Sequence, residues 1–405
     1  MSTPEISLKN QTSTFEGHPW KAISIAETLF LLSLISMFLP VKVYPVFFLV
    51  SCFFFYRETP QIKFPNWSIA LAVFSSYAVI SYLITYPGQP LAFTNIIKLL
   101  INFSFLFFAI NWLSSQDNES IIKRLDTVLL AVLALSLVQL LIYHQAYDFK
   151  LITGSESSGQ ASTLYRDSLY YWGLDDKNMF GARIALIGFV FICIPVVLKN
   201  KLSAWRILFV FLVAFLSLSR TPIVALIFGV FFLIWISIGK KWKIAMLVLV
   251  AFALPFVLQK VIRIDSLTSS NDGMGIRLVY WKAFIQNFNS ISPFGNGFLS
   301  APEFLGEYAE FYRGEPHIHN TFMSAYLELG VVGFISFSAY IFWFIRECWR
   351  KMDNSKLWVA LFLPVLAIMM ILYSGYDNDL AMYFCLIFLI GSFKEINFKK
   401  VQISL

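Results

Sequence analysis

The sequence predicts an all-α polytopic membrane protein of about twelve transmembrane helices. Three observations carry that reading. Of the 405 residues, 58% are hydrophobic and only 14% are charged, with a mean hydropathy of +0.70; soluble domains run nearer half apolar and a quarter charged. The apolar residues gather in repeated runs of about 17–25 residues, the length a helix needs to cross a bilayer. Short stretches of alternating hydrophobicity, the mark of a membrane barrel, do not occur. The 43 Phe suit lipid-facing helices.

In chain order the runs lie near 23–40, 44–56, 66–86, 93–113, 125–143, 181–198, 203–219, 222–238, 243–260, 321–345, 357–374 and 380–393. The second is short and suits a tilted or partly interfacial helix. The seventh and eighth are separated only by Arg220 and its neighbours. Residues 1–22 are polar and mixed in charge, with no clear small-residue cleavage site after the first run. They read as a tail leading into a retained helix, not a cleavable signal.

The breaks alternate in charge. One set carries Arg57/Lys63, Lys123/Arg124, Lys199/Lys201, Lys240/Lys241/Lys243 and Arg346/Arg350/Lys351/Lys356, and Lys394, Lys399 and Lys400 follow the last run. The breaks at 41–43, 87–92 and 375–379 are nearly free of basic residues. The positive-inside rule puts the first set and both termini in the cytoplasm. The expected organisation is a tail (1–22), nine helices over 23–260 with an outer loop at 144–180, a large outer catalytic loop at 261–320, three helices over 321–393, and a tail (394–405). Polar loops of this length are usually functional or disordered. Within the second loop, residues 278–285 form an amphipathic stretch suited to the membrane surface or to capping the bundle.

The net charge of +7 sits mostly at membrane edges, which argues against a nucleic-acid partner. Cys52, Cys193, Cys348 and Cys385 form no CxxC pair and read as small buried hydrophobes. No internal repeat is present. No Walker A loop or G-x-G-x-x-G occurs, so ATP hydrolysis is not expected.

Charge at the membrane edge is costly and needs a reason. Lys98, Arg183, Arg220 and Arg277 are the unusual cations on the outer half. Arg220, in Leu218-Ser219-Arg220-Thr221-Pro222, either caps helix carbonyls and snorkels, or binds phosphate oxygens through its guanidinium. Arg277 follows Gly273-Met274-Gly275-Ile276 at a helix start, a common turn and also an anion cradle. His317 and His319 in Pro316-His317-Ile318-His319-Asn320 fit three roles: a metal pair, interfacial hydrogen bonding, or a general base. An HxH pair alone matches zinc sites poorly, whereas an imidazole accepts a hydroxyl proton near neutral pH. Trp172, Asp175, Asp176, Lys177 and Asn178 lie in an aromatic–acidic loop. It suits sugar binding, or simply a capped helix start. Together the arginines, the histidine and this loop suit an enzyme that holds a lipid pyrophosphate and transfers its sugar to a hydroxyl.

His319-Asn320, a nine-residue spacer and Gly330-Val331-Val332-Gly333 resemble the signature of the O-antigen ligase and polymerase superfamily of bacterial envelopes. Ser292-Pro293-Phe294-Gly295-Asn296-Gly297 resembles that family's NP-x-x-G-x-G stretch, and Arg220 and Arg277 fall where the family has functional arginines. The matched region covers about 215–335. The resemblance implies a metal-independent, inverting glycosyltransferase of the inner membrane, facing the periplasm and needing no cofactor. It implies a glycan donor on undecaprenyl diphosphate, held by Arg220 and Arg277, with His319 activating the acceptor; His317 and Asn320 flank it. A ligase acts on lipid A–core, a polymerase on a lipid-linked repeat unit, and the complete histidine signature inclines the reading to ligase. A lipid-linked glycan flippase is the non-enzyme alternative. It would collect charge near the midplane and pair its broken helices, whereas here charge collects at the outer edge.

Overall fold

The computed structural model describes residues 23–39, 41–86, 90–153, 177–256, 259, 273–351, 355–372, 376–392, 398 and 401–404. The helices are α1 (Ile25–Ser36), α2 (Tyr44–Glu58), α3 (Asn66–Thr85), α4 (Pro90–Leu113), α5 (Asn118–Ala146), α6 (Lys177–Lys199), α7 (Ala204–Leu216), α8 (Arg220–Ser237), α9 (Lys240–Phe256), α10 (Gly273–Gln286), α11 (Ala301–Tyr308), α12 (Thr321–Lys351), α13 (Ser355–Met369) and α14 (Asn378–Gly391). A single turn at Lys150–Thr153 follows α5. Each of the twelve apolar runs overlaps one of these helices. By length and composition, six of them can cross a membrane: α3, α4, α5, α6, α8 and α12. Others are apolar but shorter, α7 because the chain turns at Ser217–Ser219 with Leu218 at φ 58°. The chain is a multi-pass, helical membrane protein.

One element departs from the all-α expectation. Lys201–Ser203 (β1) pairs in parallel with Gln402–Ser404 (β2), so part of the expected tail is docked on the α6–α7 link. The tail at 1–22 lies outside the described residues.

Helices α6 and α14 are buried on nearly all sides, while α9 is exposed along its described length. Close approach depends on small residues. A Cβ on Gly181 of α6 would sit 2.7 Å from Pro222 Cγ, and one on Gly229 of α8 would sit 2.6 Å from Pro364 Cγ of α13. Such contacts drive helix association where lipid removes the hydrophobic term. All four cysteines are free and buried.

The packing aligns the helix ends. Gly181 against Pro222 puts the start of α6 beside the start of α8. Arg183 paired with Asp379 puts it beside the start of α14, and therefore beside the end of α13. His144 near the end of α5 bonds the Leu216 carbonyl at the end of α7, at 2.7 Å. The opposite end is tied by ion pairs. Arg206 holds Asp126 in a fork, with Nη2 to Oδ2 at 2.9 Å, and Arg124 pairs with Glu27. That end also carries the basic breaks.

Residues 273–320 form a cap with its own core. Ile276, Val279, Tyr280 and Phe284 of α10 pack with Ile291, Phe304, Leu305, Ile318 and Leu327. The stretch expected to be amphipathic is helical, but it leaves Leu278 and Ile285 exposed while burying Arg277. The cap is fastened where α12 breaks. Gly330 has φ 60° and ψ −152°, a region essentially closed to residues with a Cβ. The break frees carbonyls that the 292–297 loop fills: Asn296 N–H donates to Leu327 O at 2.8 Å and Gly297 N–H to Glu328 O at 3.1 Å. In return Val331 N–H donates to Pro293 O at 2.9 Å. A Cβ on Gly330 would meet Pro293 O at 2.1 Å.

Gly330→Ala is therefore expected to destabilise the protein by at least about 2 kcal/mol, from backbone strain plus overpacking. Thermal unfolding in detergent measures this. Gly239→Ala is the control, because nothing lies within 4 Å of a Cβ there.

Candidate active site

Three consecutive residues past the end of α13 each hold one residue of the cap. Asn320 Nδ2 donates to Met370 O at 3.3 Å, Arg277 Nε donates to Ile371 O at 2.7 Å, and His319 hydrogen-bonds the backbone of Leu372. Arg277 Nη1 also donates to Gly273 O at 3.1 Å. The carbonyls of a finished helix have no intrahelical partner, and here they position an arginine and an imidazole side by side.

His319 is held firmly. It takes φ 59°, just before α12 begins. A non-glycine residue there stores strain, which clusters at functional sites. Its ring is parallel to Tyr280, with centroids 6.2 Å apart and planes within 4°, and His317 stands edge-on at 4.8 Å. Nδ1 of His319 is buried with no hydrogen-bond partner among the described residues. Burial, then His317, then the Arg277 guanidinium hold its pKa well below the ordinary histidine range. The ring is therefore held neutral at pH 7.

Asn320 is the cap of α12, its Oδ1 accepting from Phe322 N–H at 3.0 Å and Met323 N–H at 3.1 Å. An oxygen so placed satisfies two of the orphan donors of the helix start. Its local work is thus structural, and it fixes the neighbouring His319.

Tyr280 was not expected. It donates to Glu315, and its oxygen accepts from Arg313 N–H at 3.2 Å. Burial, then the Glu315 carboxyl, push the phenol pKa up, so the hydroxyl stays a donor. The pair fixes the ring against His319. Its sequence signal is position i+3 from Arg277, which puts both on one helix face.

Arg220 opens α8, at the same end of the bundle as the α13 terminus. Its turn is clamped to α6: Ser219 Oγ donates to Asn178 Oδ1 at 2.9 Å. Asn178 and Lys177 begin α6, so Asn178 supports the Arg220 turn. Arg183 is engaged in a buried ion pair, with Nε to Asp379 Oδ1 at 2.8 Å. It also donates to Met37 O and lies 5.3 Å from the Phe38 ring centre. That arrangement ties α1, α6 and α14 together. Lys98 lies partly buried on α4, with no polar partner among the described residues. Trp172, Asp175 and Asp176 lie outside the described residues. Among the described residues, no three of His, Cys, Asp and Glu gather as metal ligands.

A helical multi-pass membrane protein with a folded cap, a buried arginine and a strained neutral histidine at one end of its bundle is the class that fold and site define. Residues 207–338, about a third of the chain, match the O-antigen ligase family. This match supports the O-antigen ligase and polymerase superfamily. It includes Arg220, Arg277, His317, His319, Asn320 and the Gly330 break. No curated protein matches the chain.

Arg183→Leu is expected to cost about 3–5 kcal/mol, because it strands the buried Asp379 carboxyl. Joint replacement of Arg183 and Asp379 by Leu and Asn is expected to recover most of that loss in a detergent melt. Recovery of stability without recovery of activity would instead give Arg183 a role in substrate binding.

Proposed function

We propose that this protein is a glycosyltransferase. It moves a polysaccharide from undecaprenyl diphosphate to an acceptor hydroxyl at the periplasmic face of the bacterial inner membrane. The reading takes the twelve runs as spans, both termini as cytoplasmic and 261–320 as the periplasmic catalytic segment. It is of the O-antigen ligase type, with lipid A–core as acceptor. The observation that carries the reading is the seating of Arg277 and neutral His319 on adjacent backbone positions, Ile371 and Leu372, inside and beside the matched domain.

The chemistry follows from those two groups. The acceptor oxygen attacks the anomeric carbon as its proton passes to His319. The bond from that carbon to the diphosphate oxygen breaks on the opposite face, with inversion. The electron pair leaves on the diphosphate, whose growing charge faces Arg277 and Arg220. Fixed cations aimed at developing charge lower a barrier more than mobile ones, because they need no reorganisation. The donor arrives activated, so no nucleotide, cofactor or metal is required. Lys98, Lys177 and Asn178, with Trp172, Asp175 and Asp176, are assigned to the glycan and its lipid headgroup. A polymerase extending lipid-linked repeat units uses the same steps with a different acceptor, and the product separates the two.

Purified protein in liposomes, given the lipid-linked glycan with lipid A–core or with lipid-linked repeat alone, is expected to label lipid A–core and to remain active in EDTA. Lengthened lipid-linked chains instead would make it a polymerase. Arg277→Ala and His319→Ala are each expected to lower kcat by about 10²–10³-fold; wild-type turnover in both folded variants would sink the mechanism.

The pH profile gives an independent check. A histidine whose pKa is depressed on folding stays neutral, and active as a base, until the pH falls below its folded value. The acid limb of kcat is therefore expected below about 6.5, the free histidine value. His317→Asn removes the second-largest cause of the depression and is expected to move that limb upward. Stability has the same sign: it is complete above about 6.5 and declines as the pH falls toward the folded value.

A further inference from the structure

The 292–299 loop touches α3 far from its end and α12 at its break. Tyr77 of α3 donates to the Phe294 carbonyl at 2.8 Å. Tyr77 lies eight residues before the end of α3 at Thr85, about 12 Å along the axis. On the other side the loop meets Gly330, the break nine residues into α12. The chain then climbs α3 again. Phe298 N–H donates to Ser81 Oγ at 3.0 Å, and a Cβ on Gly297 would lie 2.5 Å from Thr85 Cγ2. The tip thus sits well below the end of α3, a helix that qualifies as a membrane span, and against α12, which also qualifies.

Irregular backbone survives at that depth only if its polar groups are paired within the protein. From Ser292 to Leu299 every N–H has a partner. Ser292 donates to Asn296 Oδ1 (3.0 Å), Phe294 to Ser292 Oγ (3.2 Å) and Gly295 to Ser292 O (2.8 Å). Asn296 and Gly297 use the carbonyls freed by the α12 break, Phe298 uses Ser81, and Leu299 donates to the buried Glu328 carboxyl. Pro293 has no N–H to satisfy. At the tip Phe294 is 74% exposed, beside exposed Val331, whose N–H bonds the Pro293 carbonyl, and exposed Phe334 and Ile335 follow on α12.

We propose that residues 292–299 form a re-entrant segment, with Phe294 immersed in the hydrocarbon of the leaflet on the cap side. The partner is lipid chain, and the proposal rests on the reading that α3 and α12 cross the bilayer. A water-exposed surface loop would have no need to pair every N–H internally, since solvent serves.

The test places a nitroxide label on Phe294→Cys, with Ile335→Cys and Glu310→Cys as references, in the full chain reconstituted into phosphatidylethanolamine–phosphatidylglycerol vesicles. Labelled wild type gives the background from the native, buried cysteines. The Phe294 label is expected to collide with oxygen and escape an aqueous nickel chelate, as at Ile335 and opposite to Glu310. Access of nickel to position 294 while 335 stays lipid-like overturns the proposal alone. Access at both positions overturns the spanning reading with it. Phe294→Trp serves as a second probe: its fluorescence is expected to be quenched by lipids brominated along the acyl chain, and no added quenching relative to wild type overturns the immersion.

Discussion

A buried backbone carbonyl that outlives its helix must find a donor within the protein. Most of the polar arrangement at the cap end of this bundle answers that demand. His144 serves Leu216, Arg183 serves Met37, and Asn102 donates to Tyr376 O at 2.7 Å. Asn320, Arg277 and His319 serve Met370 to Leu372. Polar side chains are drawn to the helix ends because the ends need them, and the arrangement leaves cation and imidazole in register.

The same demand explains why two distant sequence patterns occur together. The break at Gly330 releases two carbonyls, and the glycine-bearing 292–297 loop supplies two N–H groups to meet them. Each half supplies the partners the other lacks. An unbroken α12 would have no place for the loop, and a free loop would have no partners. Because α12 also begins directly after His319, the fastening that seats the loop also limits how far the histidine can drift.

Much of the architecture was legible because it depends on local periodicity. The apolar runs, the basic breaks and the glycine pattern all report short-range constraints. What escaped the sequence depends on partners far along the chain. Arg183 reads as a loose outer cation until Asp379, 196 residues later, is beside it. A capping role of the kind weighed for Arg220 is visible on Arg183 and Arg277. Tyr280 looked like part of a greasy helix, and only its stacking on His319 and its bond to Glu315 show otherwise. The β1–β2 pairing had no signal, because three residues carry no readable period.

That small sheet has a consequence for biogenesis. Its second strand is made half a chain after its first, a delay of about 10–40 s at ordinary elongation rates. Throughout that interval β1 lacks the strand it pairs with. Lys201 is exposed on that strand, and a charged residue on an open edge discourages promiscuous pairing with other chains. The pair can close only once α14, the helix that precedes β2, has been made.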